Sequence, residues 1–288
     1  MIVADELREC VVFIYFDDER GVRRAAGTAF FVSFDRSHGV QGHWTYLVTA
    51  KHVLDGIRAA RADGMMFLRV NVKGAGFAYL PCSVEVWTTH PDTTLIDDVA
   101  VLPWNPVAEV EYRSYPLESS VNEETGHGVG DEVFLPGLFV NHAGKERNIP
   151  IVRIGNIAAM PSEPVESSIG PLDAYLVEAR SIGGLSGSPV FVNLGLYRKV
   201  GDKVMEAREG EGVHRLLGLM HGHWRVQPPK DAPQGDDATL DAISDEWINM
   251  GIAIVVPVER IIATVNHPKQ VEMREKIDLE EAEKAVDG

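Results

Sequence analysis

Short runs of apolar residues recur along most of the chain, and glycine, proline, asparagine and aspartate separate them. The candidate strands that contain these runs begin at Cys10, Gly27, Trp44, Met65, Ser83, Asp131, Ile149, Ala174, Ser188, Leu216 and Gly251. Short strands at fairly even spacing, with few helical windows between them, favour antiparallel barrels or sandwiches over alternating strand and helix units. The pattern therefore predicts an all-β, mainly antiparallel protein.

Helical patterns come late in the chain. PVERIIATVN, from Pro257, begins with proline, which is favoured in the first turn of a helix. The charged stretch from Lys269 onward predicts a C-terminal helix or a solvated tail over 269–288, and we expect it to be a possible docking site for a regulatory partner.

Two stretches interrupt the strand pattern. Arg225–Trp247 is rich in proline, aspartate and glycine, and a loop of this length is usually disordered or functional. Near the middle of the chain, 113–131 is the best candidate linker, because it separates two sets of strands with turn-forming residues. The expected units are 1–112, 132–268 and the charged end, 269–288.

Composition and charge narrow the class of protein. A chain of 288 residues that is 45% hydrophobic can bury a core of one large domain or two smaller halves. Its 27 basic and 43 acidic residues give a net charge of −16, which argues against nucleic acid or an anionic membrane as the main partner. Two cysteines, Cys10 and Cys82, and an acidic N-terminus without a signal-like apolar run predict a cytoplasmic protein.

The candidate chemistry centres on GGLSGSPV, where Ser186 lies between Gly184 and Gly187. Glycine beside a regular element costs roughly 0.5–1 kcal/mol relative to alanine, so a cluster of glycines indicates a tight turn or a close backbone approach. A serine nucleophile needs a base, usually histidine, which a carboxylate orients. His52 follows one strand and Asp98 precedes another, in the chain order His, Asp, Ser that is one of three known for this chemistry.

Six motifs, GTAFFV, LVTAKHV, DDVAVL, GDEVFLPG, GGLSGSPV and LLGLMHG, occur in an order that resembles the trypsin-like serine peptidases of the chymotrypsin fold, on their bacterial side and without a PDZ module. The resemblance implies two six-stranded β-barrels with the active site between them. It also implies a serine endopeptidase that forms an acyl-enzyme, with His52, Asp98 and Ser186 as the triad. The backbone N–H groups of Gly184 and Ser186 would form the oxyanion hole, and no cofactor is implied.

Two alternatives for individual residues stay open. Asp97 competes with Asp98, and Asp98 is favoured because the resemblance places the acid directly before the Val-Ala-Val-Leu strand. His221 and His223 are two apart, on one face of a strand, which is a spacing that suits a metal. No third ligand has a clear spacing, so we expect both histidines to lie in the core or line a pocket and expect no metal.

The substrate is expected to be a protein or peptide. By the resemblance, Arg180, Ser181 and Gly183 would line the pocket for the side chain before the cut, together with His221 and His223 from the later strand. Arg180 is six residues before Ser186, where its charge would reject lysine and arginine and favour an acidic side chain. The alternative is that Arg180 turns outward and leaves a small apolar pocket. The alternative function is a catalytically silent, peptidase-like scaffold that binds a protein partner.

Overall fold

The computed structural model describes residues 2–74, 76–105, 107–179, 184–200, 203–206, 213–226 and 248–286. Arg180, Ser181 and Gly183, which were predicted to line the substrate pocket, lie outside these residues. The predicted loop Arg225–Trp247 also lies outside them, apart from its first two residues, which end a strand.

The strands of the N-terminal half are β1 Val11–Asp17, β2 Arg23–Asp35, β3 His43–Ala50, β4 Met65–Val72, β5 Phe77–Ser83, β6 Thr88–Thr89, β7 Val99–Pro103, β8 Val110–Glu111 and β9 Tyr115–Pro116. Those that follow are β10 Glu132–Gly137, β11 Ile151–Ala159, β12 Val165–Ser167, β13 Gly170–Leu172, β14 Tyr175–Glu178, β15 Pro189–Asn193, β16 Tyr197–Val200, β17 Lys203–Glu206, β18 His214–Val226 and β19 Ile248–Pro257. The α-helices are α1 Asp5–Glu9, α2 Lys51–Ala60, α3 Val258–Val265 and α4 Pro268–Val286. The prediction of a mainly antiparallel β protein with helices at its C-terminal end is thus confirmed.

The strands that follow residue 131 include a closed barrel, in the order β10-β11-β14-β19-β18-β15. Valine, leucine and phenylalanine fill it, and the rings of Phe134 and Phe191 stack with their centroids 5.2 Å apart. Two hairpins, β12–β13 and β16–β17, extend from this barrel rather than join it. The predicted six-stranded barrel in the C-terminal half is confirmed.

The N-terminal half does not show the second six-stranded barrel that the resemblance implied. Its strands form one nine-stranded sheet in the order β5-β4-β1-β2-β3-β7-β6, with β8 paired to β4 and β9 to β2, and no closed barrel is shown in the described part of this half. The two end strands offer little for closure: β6 has only two residues, and β5 contains Pro81, which has no N–H to donate to a ladder. The sheet therefore ends at these two strands.

The two halves share one continuous apolar core. Backbone hydrogen bonds cross between them, from Thr28 N to Ser186 O at 2.9 Å and from Val121 N to Leu216 O at 3.0 Å. The end of β3, the start of β7, the turn before β15 and the middle of β18 consequently meet at one place. Among the described helices, none is long and apolar enough to cross a membrane.

Helix α4 docks on the N-terminal sheet through polar side chains. Asp278 is fully buried and accepts hydrogen bonds from Arg36 Nε at 2.7 Å, Ser37 N at 2.9 Å, Ser37 Oγ at 2.8 Å and Trp44 Nε1 at 3.1 Å. Arg274, also buried, donates to Tyr46 Oη at 3.0 Å. The charged C-terminal stretch is therefore a packed helix along this face, and a regulatory partner for its remaining surface stays a prediction.

Candidate functional site

His52 is the second residue of α2, directly after β3 ends at Ala50. The helix is amphipathic and buries Val53, Leu54 and Ile57 against the sheet, which fixes its first turn relative to β3. The imidazole is therefore held on a packed helix rather than on a loop, as a group with a positional role requires.

Asp98 lies immediately before β7, and the pairing of Val99 with Ala50 brings it beside the first turn of α2. Its Oδ1 accepts from His52 N at 2.7 Å, and its Oδ2 is 2.7 Å from His52 Nδ1. Asp97 Oδ1 instead accepts from the backbone N–H of Asp98 at 2.8 Å, and burial raises the pKa of the Asp97 carboxyl. Of the two neighbouring acids, Asp98 is the one that contacts the histidine.

His221, on β18, is a second histidine at the same carboxylate. Its Nδ1 is 2.5 Å from Asp98 Oδ2, the oxygen that His52 also contacts, and its side chain is only 4% exposed. The two imidazole rings meet edge to face with centroids 5.0 Å apart. Burial alone would raise the pKa of Asp98, but the hydrogen bonds from His221 and His52 outweigh it and lower that pKa. Asp98 is thus a carboxylate held ionised by two imidazoles.

His52, Asp98 and His221 are also the kind of residues that bind a metal ion, and one ligand atom from each lies within 4.8 Å of the others. Ligands of a tetrahedral zinc, with bonds of about 2.0–2.1 Å, are separated by about 3.3 Å. The two Nδ1–Oδ2 distances, 2.5 and 2.7 Å, are shorter and have hydrogen-bond length. The geometry of this cluster favours hydrogen bonding over metal ligation.

Ser186 lies on the turn that the glycines predicted. Gly184 has φ +100° and Gly187 has φ +82°, and a Cβ at Gly187 would lie 2.2 Å from the carbonyl oxygen of Thr28. Only glycine satisfies both the left-handed backbone and this close approach. The hydroxyl of Ser186 donates to the carbonyl oxygen of His221 at 3.2 Å. Packing of this turn against the N-terminal half therefore explains Gly187, and the close approach to the carbonyl oxygen of Leu138, 2.8 Å from a Cβ at that position, explains Gly184.

Thr28, which sequence reasoning did not single out, fixes that turn. Its hydroxyl donates to Gly184 O at 2.8 Å and accepts from Leu138 N at 3.0 Å, while its backbone N–H donates to Ser186 O. Its own carbonyl accepts from Thr49 Oγ1 at 2.7 Å. A buried threonine in an apolar strand gives no sequence signal for such a role, because the partners of its hydroxyl are more than 100 positions away in the chain.

The backbone N–H groups of Gly184 and Ser186 were predicted to converge on an oxyanion. The carbonyl of Leu185 accepts from Ser188 N at 2.9 Å, inside the turn. Since the peptide is trans, the N–H of Ser186 points in the opposite direction from that carbonyl. The direction of the Gly184 N–H depends on the peptide from Gly183, which lies outside the described residues.

A cavity of about 550 Å³ opens beside these groups. It is lined by His52, Glu166, Ser167, Ser168, Ser186, His221, Gly222, His223, Trp224 and Ile254. His221 and His223 were predicted to line the substrate pocket, and both are on this wall. Residues 166–168 of the β12–β13 hairpin also line the cavity. The sequence did not predict this, because a polar loop between strands has no distinctive pattern.

No family model matches this chain, and no curated protein matches it. Among solved structures, a similar one is the protease domain of MamO from Magnetospirillum magneticum in its apo form. The two are 13% identical, the alignment covers 90% of this chain and 96% of that chain, and the TM-score is 0.49. A similarity at that level assigns no role to any residue of this chain.

Proposed function

We propose that this protein is a serine endopeptidase that hydrolyses peptide bonds through an acyl-enzyme. The observation that carries the proposal is the 2.7 Å contact between His52 Nδ1 and the buried Asp98, with His52 and Ser186 on the wall of one cavity. The order of the six sequence motifs supports the same reading. A base oriented by a carboxylate, next to a serine on a tight turn, is the arrangement that activates a hydroxyl.

In the acylation step, Ser186 Oγ attacks the carbonyl carbon of the substrate and its proton passes to His52 Nε2. Because Asp98 occupies the Nδ1 side of the ring, Nε2 is the nitrogen left to accept that proton. The protonated His52 then gives the proton to the leaving amine as the peptide C–N bond breaks. Water repeats the sequence on the acyl ester, which returns Ser186 and releases the acid.

The oxyanion of each tetrahedral intermediate would bind the N–H groups of Ser186 and Gly184. The N–H of Ser186 points away from the Leu185 carbonyl that is bonded inside the turn, which supports this assignment. Each such donor contributes about 3 kcal/mol to the transition state.

In this structure the Ser186 hydroxyl donates to His221 O at 3.2 Å rather than to His52. Contacts between nucleophile and base are often loose in structures without substrate and tighten in the complex. Rotation about the Cα–Cβ bond of Ser186 would release this hydroxyl from the His221 carbonyl. The observed bond is thus compatible with a resting state of the proposed enzyme.

The test is covalent labelling with a fluorophosphonate, followed by intact mass and peptide mapping. We expect one adduct per chain, on Ser186, and none in Ser186→Ala or in His52→Ala. Ser168→Ala is the matched control, because Ser168 lines the same cavity and should not alter labelling. An unlabelled wild type, or a labelled Ser186→Ala variant, would contradict the proposal. An unlabelled wild type that still folds would favour the alternative, a silent scaffold for a protein partner.

The preference at the residue before the cut stays a prediction. The acidic preference rested on Arg180, outside the described residues, and on His221 and His223, whereas the carboxylate of Glu166 also lines the cavity. A peptide library varied only at that residue tests it: cleavage after glutamate or aspartate supports the prediction, and efficient cleavage after lysine or arginine contradicts it.

We further propose that the protein is cytoplasmic. Both cysteines are free, and burial raises the pKa of the Cys10 thiol to about 12, which keeps it unreactive. Free thiols are typical of reducing compartments. Fractionation of cells that express the untagged protein tests this proposal, and recovery outside the cytoplasm would contradict it.

A further inference from the structure

The second histidine at Asp98 has no part in the reaction steps described above, yet it makes the shorter of the two contacts to that carboxylate. Its side chain and that of Asp98 are 4% and 1% exposed, so water competes little for this hydrogen bond. A hydrogen bond to a charged group contributes more than a typical neutral one. The contact is therefore strong enough to affect how Asp98 acts.

The backbone places His221 at this carboxylate by an irregularity in its strand. Along β18, Met220 pairs with Val255 and Gly222 with Ile254, so His221 is the extra residue of a β-bulge. Bulges redirect a side chain and are frequent beside active sites. The adjoining carbonyl of His221 accepts from Ser186 Oγ, so the same residue contacts both the proposed acid and the proposed nucleophile.

We propose that His221 is a positioning residue of the peptidase: its Nδ1–H donates to Asp98 Oδ2 and holds that carboxylate in the orientation that fixes His52. Asp98 Oδ1 is taken by the backbone N–H of His52, and Oδ2 accepts from both imidazoles. With three donors around it, the carboxylate has no freedom to turn away from His52. The functional unit is then Ser186, His52, Asp98 and His221, an inference that rests on the proposed function.

The sharing of Asp98 Oδ2 between two imidazoles also sets how strongly Asp98 stabilises a protonated His52. One Oδ2 atom divides its negative charge between two N–H donors, so His221 limits the share that reaches His52. Two further titratable residues, Glu166 and His223, line the same cavity as His221, and Asp97 adjoins Asp98 in the chain. Without the His221 donor, more of the charge of Asp98 acts on His52.

The test compares two replacements of His221. His221→Asn keeps an N–H donor close to the Nδ1 position, whereas His221→Leu keeps the bulk and removes the donor. We expect His221→Leu to lower kcat roughly 10- to 100-fold with little change in KM, the effect of losing a hydrogen bond to a charged group. We expect His221→Asn to retain most of the wild-type kcat.

The pH profile separates positioning from a simple packing role. In His221→Leu the pH dependence of kcat/KM should differ from that of the wild type, and His221→Asn should restore the wild-type profile. Proton NMR gives a readout independent of turnover, since two far-downfield histidine N–H resonances are expected in the wild type and one in His221→Leu. Thermal unfolding of both variants checks that each one is folded.

Failure of the positioning role of His221 can be distinguished from failure of the proposed peptidase function. If the fluorophosphonate does not label the wild type, the peptidase proposal fails. If it labels the wild type, and His221→Leu keeps the wild-type kcat and pH profile, or Asn and Leu behave alike, the positioning role is overturned. A change in the downfield resonances on adding zinc at equimolar concentration, reversed by a chelator, would overturn it in favour of a metal site.

Discussion

Two buried aspartates, Asp98 and Asp278, are surrounded by hydrogen-bond donors yet have different consequences. Asp98 is contacted by two imidazoles, which can gain and lose a proton, and both of them line a cavity with Ser186. Asp278 is contacted by Arg36, Ser37 and Trp44, none of which changes charge in the ordinary pH range. Burial of a carboxylate therefore does not by itself indicate a catalytic role. What distinguishes Asp98 from Asp278 is that its partners are titratable and line a cavity.

The largest expected effect is on turnover, from Asp98→Asn. An amide at this position would present an N–H to one of the donors and favour the wrong tautomer of His52, which should lower kcat by about 10⁴-fold. Peptide cleavage and the fluorophosphonate labelling rate both measure it. Asp97→Asn is the control, because it keeps an acceptor for the backbone N–H of Asp98. Equal losses in the two variants would contradict the distinction between these neighbours.

The next effect is on stability, from Asp278→Asn. This change removes the charge that faces Arg36 while keeping the shape, and removing one partner of a buried ion pair costs about 3 kcal/mol. Urea unfolding should show this loss, whereas the labelling rate of the folded protein should stay unchanged. Glu281→Gln, at the exposed second partner of Arg36, should change the free energy of unfolding by less than about 1 kcal/mol. If Asp278→Asn instead lost fluorophosphonate labelling while keeping the wild-type free energy of unfolding, the contrast drawn between Asp98 and Asp278 would be wrong.

A smaller effect appears on acidification. Burial would raise the pKa of Asp278, but hydrogen bonds from the Ser37 backbone, Trp44 and Arg36 lower it from 3.8 to about 2. A lowered pKa contributes stability that is present above about pH 4 and is lost as the pH falls towards 2, about 2 kcal/mol in all. Urea unfolding between pH 5 and pH 2 measures it. Asp278→Asn should lose less stability than the wild type across this range, and parallel curves would contradict the assignment.

The smallest effect concerns the turn that carries Ser186. Thr28→Val keeps the volume but leaves Gly184 O and Leu138 N without the hydroxyl, so the turn should shift. We expect the labelling rate of Ser186 to fall about tenfold, equivalent to about 1.4 kcal/mol. Thr28→Ser, which keeps the hydroxyl, should behave as the wild type. A Thr28→Val rate equal to the wild type would show that the backbone bond from Thr28 N holds the turn alone.

The strand pattern and the order of the motifs predicted much of this molecule. Apolar runs depend only on local sequence, so the β class and the C-terminal helices were predictable from them, whereas the six-stranded C-terminal barrel was implied by the resemblance of the ordered motifs to a known family. The glycines around Ser186 likewise indicated a tight turn, because their positive φ values are a local requirement. The segments that carry His52, Asp98 and Ser186 were instead identified from the chain order of these residues and from the resemblance of the ordered motifs.

Tertiary structure alone decided the contacts between distant residues. The bond from His221 to Asp98 joins positions 123 apart, and it depends on a β-bulge that spacing along the strand does not reveal. The strand order of the N-terminal sheet depends on which strands pair, and the face on which α4 packs depends on the hydrogen bond from Arg36 to Asp278. Apolar patterns report how much surface a segment buries, whereas hydrogen-bond partners are set by register and packing between segments, which only the folded chain defines.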